Sequence, residues 1–380
     1  MSQNLQKEMK DLISEAPDLE SKLECIRIFK NDHFKIIQAE DLAGRKKLPE
    51  VFKELSQIAD IVLSTALKLA EDETSRVYGF PTFIDNDGNL LRSEFAIVAM
   101  GKLGGREVHY GSDLDLIFLY SRNGDTEGRQ IISNKEYYAK LVQRMISYLA
   151  AHTLRGYAYK IDTQLRPSGN QGPLVSTLDA YADYQRNHSQ IWEKQALLKA
   201  RYAAGDASFG KILPDQFHQL IFASDFPSNL NEEIHNMRMR MEKEIAQESK
   251  RRLHYKLGKG GLTDIEFAVQ YLQLKMGKIF ENIVVGNTLE AIERMGEREI
   301  LKPKEYRIFK NAYLFYRLLE MRMEVLFDLK SGYVDPESEL LENLSDTMGE
   351  ASQASLLQRL EDSRSEVRQT YLRIMQIGTT

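Results

Sequence analysis

The chain has 380 residues, of which 42% are apolar and 28% charged, and its formal net charge is −5. At roughly 150 residues per domain, that length supports two or three domains with cores of their own. A single cysteine, Cys25, excludes a disulfide scaffold or a cysteine-built zinc site, and the lack of a global basic excess argues against a protein that grips a nucleic-acid backbone.

The polar N-terminus offers no signal-peptide core, and no run of ~18 apolar residues occurs to span a membrane. A cytoplasmic location is the expectation, and Cys25 reads as ordinary helix packing. Residues 1–75 read as helical: Val51, Leu55, Ile58, Val62, Ala66 and Leu69 recur in steps of three and four, the spacing of an amphipathic helix. Asp85-Asn86-Asp87-Gly88 lies between Phe83-Ile84 and Leu90-Leu91, where an Asp-Gly turn closes a hairpin. Phe95 to Met100 reads as a buried strand, Gly101 to Gly105 as a tight loop, and Leu114 to Tyr120 as a second strand. A helix follows from Ser133 to Arg155, opened by a Ser133/Glu136 capping box and stopped at Gly156. Tyr157 to Leu165 reads as a third strand. From Asp179 onward the signals are helical, with segments at Asn229–Arg252, Thr263–Lys275, Tyr306–Leu329 and Leu356–Met375.

These elements predict an α+β fold: N-terminal helices over 1–75, a small mixed-sheet domain over 76–206, and a large helical bundle over 207–380. The chemistry concentrates in the middle segment. Asp113 and Asp115 are two apart in an apolar strand, so their carboxylates share a face while Leu114 and Leu116 take the other. Two adjacent carboxylates resist joint ionisation, and a hard divalent cation such as Mg²⁺ relieves that repulsion. Asp162, on another strand with Lys160 and Gln164 on its face, supplies a third acid. If the two strands are neighbours, three carboxylates converge, the ligand set for two metals in phosphoryl-type transfer. Gly104 and Gly105 give the backbone freedom to approach phosphate, Ser112 offers a hydroxyl donor, and Lys102 and Arg166 are cationic partners for phosphate oxygens. Arg166 is also placed to cap its strand. No P-loop, dinucleotide-binding glycine loop or His-Glu-x-x-His occurs, and nothing points to a serine or cysteine triad.

Thr263 and Glu266 read as a second capping box, with Asp264 at the positive end of the helix. Lys250-Arg251-Arg252, with Lys256 and Lys259, reads as a solvated face.

The apolar-Gly-Gly, spacer, Asp-apolar-Asp pattern resembles the signature of the DNA polymerase beta-like nucleotidyltransferases. The resemblance extends further. FAIVAMGKLGGREVHYGSDLDLIFLY (95–120), KIDTQLRPSGNQGPLV (160–175), the stretch 181–206 with Trp192-Glu193-Lys194-Gln195-Ala196-Leu197, and Gly260 to Phe267 are similar to the glutamine synthetase adenylyltransferase family. Arg27 to Asn31 and Asp41 to Gly44 resemble that family's leading helices.

The resemblance implies an enzyme built as two related halves, one attaching AMP from ATP to a tyrosine of glutamine synthetase and the other removing it by phosphorolysis. One copy, about half the family's length, is expected here, and Gly111-Ser112 looks like the transferring half. Asp113 and Asp115 would be the paired metal ligands and Asp162 the third acid. Glutamine synthetase would be the partner, with the PII signalling protein and glutamine as regulators. Three other readings stay open: phosphorolytic removal of AMP from adenylylated glutamine synthetase, a non-catalytic nucleotide- or PII-responsive module, and a nucleotidyltransferase acting on a small molecule or RNA.

Overall fold

A computed structural model describes residues 2–377. The chain forms two compact units. One comprises residues 1–40, 49–108 and 112–223; the other comprises 41–48, 109–111 and 224–380. The fold is mixed and mostly helical, which agrees with the α+β expectation at that level. No helix among the described residues is long and apolar enough to cross a membrane.

The first unit opens with helices α1 (Ser2–Glu15), α2 (Leu19–Leu42, of which Asp41 and Leu42 count with the second unit) and α3 (Leu48–Tyr78). The expected α3 stripe is its core face: Val51, Leu55, Ile58, Val62, Ala66 and Leu69 are all buried. The hairpin follows as β1 (Thr82–Ile84) and β2 (Leu90–Arg92), paired antiparallel. Asp85 tightens its turn, its carboxylate accepting from the N–H groups of Asp87 and Asn89.

The main sheet is built from β3 (Phe95–Ala99), β4 (Leu114–Tyr120), β5 (Ile161–Asp162), β6 (Ser176–Thr177) and β7 (Arg201–Gly205). Its order is β5-β4-β3-β7, with β6 pairing β4 in parallel. A single turn of helix, α4 (Gly101–Gly104), stands where a loop was expected. Helix α5 (Asn134–Ala150) packs its Tyr138 ring on Phe95, 5.0 Å between centroids. Helices α6 (Leu178–Asn187), α7 (Ile191–Leu197) and α8 (Ala207–Ile221) complete this unit.

Four expectations in this unit need correction. Helix α5 stops at Ala150 rather than Arg155, because the buried guanidinium of Arg27 donates to the carbonyls of Tyr148 and Ala151 (3.1 and 2.8 Å) and caps the helix there. Ser133 does accept from the Glu136 N–H as its N-cap. Strand β5 has two residues, not nine, because Asp162 accepts from the Gln164 N–H and turns the chain. Gly101–Gly104 is a helical turn rather than a loop, closed by the Gly104 N–H donating to Met100 O. Strand β7 interrupts the region read as helical; Arg-Tyr-Ala-Ala-Gly carries no β-branched residue to announce it.

The second unit holds α9 (Leu230–Met241), α10 (Leu262–Met276), α11 (Thr288–Glu297), α12 (Pro303–Phe327), α13 (Leu341–Thr347) and α14 (Gln353–Ile374). Its core contains charge. Asp264 accepts from Arg238 Nε at 2.6 Å, Arg368 Nη1 at 3.1 Å and the Gly260 N–H at 2.9 Å. The capping-box expectation at Thr263 is therefore wrong: Gly261 is the N-cap, Thr263 lies inside the first turn, and Asp264 is the centre of a buried ion cluster. Within the same unit His109 Nδ1 lies 2.6 Å from Glu324, and Arg322 pairs with Asp41 at 2.8 Å. Lys256 also leaves the expected solvated face, pairing with buried Glu320 at 3.3 Å. Arg251 pairs with Asp335 and Glu337 while staying exposed.

Candidate active site

Strand β4 carries Asp115, and Asp113 stands immediately before it, because the strand's apolar residues need a core. Leu114 and Leu116 are fully buried, which leaves Asp113 exposed and Asp115 half-buried on the polar side. β4 and β5 pair in parallel with Asp115 opposite Asp162, so the third acid stands beside the second across one ladder step. Asp113 and Asp162 line a cavity of about 280 Å³ together with Lys160, Thr163, Gln164 and Asn170.

The electrostatics follow from this crowding. Burial, then the neighbouring Asp162 carboxylate and Asp113, push the Asp115 carboxyl up to about 6. The cations of Lys102 and Lys199 act the other way but do not cancel the rise. Lys199 is itself buried and tied to Glu107 at 2.7 Å. Among the described residues no three His, Cys, Asp or Glu groups close on a single point. The acids stand as neighbours, one pair in register across two strands and one pair around the cavity.

The glycines provide room. Gly101 has φ +51°, and a Cβ there would overlap the Asp115 carboxylate. A Cβ on Gly104 would overlap the Lys199 carbonyl oxygen. The Gly104 and Gly105 N–H groups bond to Met100 O and Gly101 O, at 2.8 and 3.1 Å, inside the turn. The remaining expected site residues divide. Lys102 is close enough to influence Asp115, and Ser112 sits half-buried directly before Asp113. The Arg166 guanidinium donates to Thr163 O, Thr163 Oγ1 and Gly172 O, holding the loop after β5. Sequence reasoning missed Gly101 as the residue that admits Asp115 and Lys199 as a nearby cation. No local spacing in the sequence links Lys199 to a strand 84 positions earlier; only the fold does.

Comparison with known proteins adds to this geometry. Residues 1–214 match the model of the family described as glutamate-ammonia ligase adenylyltransferase. Residues 228–375 match one described as GlnD PII-uridylyltransferase. Similar curated proteins include three bifunctional glutamine synthetase adenylyltransferase/adenylyl-removing enzymes. That of Thioalkalivibrio sulfidiphilus is 33% identical over 83% of this chain and 33% of its own length. That of Nitrosococcus oceani is 34% identical over 81% of this chain and 32% of its own. That of Methylococcus capsulatus is 28% identical over 97% of this chain and 38% of its own. The chain thus spans about a third of the length of these relatives, less than the half expected from sequence.

Proposed function

We propose that this chain, which belongs to the glutamate-ammonia ligase adenylyltransferase family, moves AMP from ATP onto a tyrosine hydroxyl of glutamine synthetase at the site of Asp113, Asp115 and Asp162. The observation that carries the reading is the in-register pair Asp115 and Asp162, with the Asp115 carboxyl raised to about 6 by burial and like charge. Like-charged acids crowded side by side, one of them with a raised carboxyl, favour the binding of a cation between them.

Hard oxygen donors suit Mg²⁺: Asp115 and Asp162, opposite each other in register, would hold it, with Asp113, which lines the cavity beside Asp162, as a further ligand. When bound, the ion neutralises phosphate charge and favours the ionised form of the attacking hydroxyl. The other roles fall to the chain itself. Gly101 leaves space for Asp115, and the Gln164 N–H fixes Asp162. Lys102 and Ser112 serve the nucleotide phosphates, Gly104 and Gly105 keep the turn compact against them, and Arg166 holds the loop that carries Asn170 to the cavity. The tyrosine oxygen bonds to the α-phosphorus, the bond from that phosphorus to the pyrophosphate oxygen breaks, and pyrophosphate leaves. The tyrosine proton passes to water or a carboxylate.

The relatives' names carry both attachment and removal of AMP. Removal uses the same acids, with orthophosphate as nucleophile and ADP as product. The match of 228–375 to the PII-uridylyltransferase family supports a PII signalling context for the second unit; glutamine as an effector rests on the family resemblance alone. The test is to incubate the chain with glutamine synthetase, Mg²⁺ and ATP labelled on the α-phosphate. Label on glutamine synthetase, lost in Asp115→Asn, supports transfer. ADP released from adenylylated glutamine synthetase and orthophosphate assigns removal instead. Neither product, with the chain folded, refutes both.

A further inference from the structure

The first unit contains a second and larger cavity, of about 940 Å³, that the acids do not line. One wall is α3, another is α1, and all five residues of β7 form a third. β7 is the outermost strand of the sheet, and among the described residues it pairs only with β3. Such an edge presents backbone N–H and C=O groups to whatever lies beside it. The register slips between Ile97 and Val98, which leaves Ala203 without an opposing residue on β3.

The length of the groove limits what fits. Its α3 wall runs from Gln57 to Asp72, about 22 Å at 1.5 Å per residue. An extended segment of roughly seven residues covers that distance. The floor is apolar, with Met9, Ile61 and Leu69 all buried. The charge is one-sided. Two of the lining cations are matched inside the groove, Lys68 by Asp72 at 2.8 Å and Arg201 by Asp60 at 2.7 Å. Lys10, Lys22 and Arg106 remain in excess of the acids that line it. Arg106 holds a left-handed backbone, φ +55°, and its half-exposed guanidinium shares Asp60 at 3.6 Å with Arg201.

We infer that this groove binds an extended acidic peptide segment, which adds to the outer edge of β7 by main-chain pairing, in exchange for the bonds that Arg201 Nη1 and the Tyr202 hydroxyl donate to Tyr202 O and Gly205 O, while its carboxylates meet Lys10, Lys22 and Arg106. The mode is strand addition, in which backbone bonds give affinity and side-chain chemistry selects the partner. The inference stands apart from the reading of the carboxylate site and survives its failure.

The test uses a fluorescein-labelled heptapeptide alternating glutamate with valine, its lysine-for-glutamate counterpart, and the whole chain at low ionic strength. Anisotropy should show saturable binding of the acidic peptide only, weakening as salt rises. Hydrogen exchange at 201–205 should slow at least tenfold in the complex. Arg106→Glu should weaken binding at least tenfold. The double variant Lys10→Glu with Lys22→Glu, two further lining cations, should do the same if Arg106→Glu fails to fold. Equal binding of the lysine peptide, no binding, or unchanged exchange at 201–205 would overturn the inference. Displacement of the peptide by glutarate at equal concentration would also overturn it, in favour of a small dicarboxylate.

Discussion

Two aspartates occupy apparently similar positions in their units, each withdrawn from solvent among other charged groups, and the protein treats them in opposite ways. Asp264 has no exposed surface, and two arginines and a backbone N–H consume its carboxylate. Asp115 faces two further acids, and its carboxyl is raised to about 6. A structural acid brings its own counter-cations, because an unpaired buried charge costs several kcal/mol. An acid meant for a ligand keeps part of that cost outstanding until the ligand arrives. The contrast separates an aspartate paired by its own counter-cations from one crowded by like charge.

The largest expected effect is on the structural side. Asp264→Asn removes the fully buried carboxylate that Arg238 and Arg368 share and leaves both arginines only Glu242, at 3.3 and 3.2 Å; urea unfolding of the second unit should show a loss of about 3 kcal/mol. Asp115→Asn inverts the pattern. Its melting temperature should hold or rise, because a repelling charge is gone, while AMP transfer should fall at least about 100-fold, or ~2.7 kcal/mol of barrier. A large stability loss in Asp115→Asn would erase the distinction. Gly101→Ala comes next: strain at φ +51° and overlap with Asp115 should cost about 1–2 kcal/mol and slow transfer by displacing the carboxylate.

The smallest effect is on pH dependence, where the two units should differ in sign. Asp115 holds its proton more tightly when folded, about 6 against an ordinary 3.8. The first unit should therefore lose stability as pH rises from about 4 to 6, and change little above that. In the second unit burial holds His254 down to about 4 against 6.5, and its Nδ1 accepts from the Leu257 N–H. Protonation would break that bond, so this unit should lose about 1–2 kcal/mol as pH falls from 6.5 toward 4. Hydrogen exchange followed separately in each unit between pH 4 and 7 checks both slopes. Asp115→Asn should flatten the first and His254→Asn the second.

The sequence made legible whatever depends on neighbours along the chain. The α3 stripe, the Asp85–Gly88 hairpin and β4 with its alternating acids were readable because period and turn chemistry are local. The pairing of Asp115 with Asp162 was anticipated only conditionally, on the two strands being neighbours. What stayed hidden depends on distant partners: Arg27 ending α5, Arg238 and Arg368 claiming Asp264, and Lys199 near Asp115. β7 was hidden for another reason, since alanines and a glycine form a strand there only because β3 offers an edge.

The most direct test of the central claim is to titrate the chain with Mn²⁺, followed by electron paramagnetic resonance, with and without ATP. The account predicts saturable binding that Mg²⁺ displaces, lost in Asp115→Asn and in Asp162→Asn but kept in Asp113→Glu. Identical binding in wild type and Asp115→Asn, or no binding even with ATP present, would contradict it.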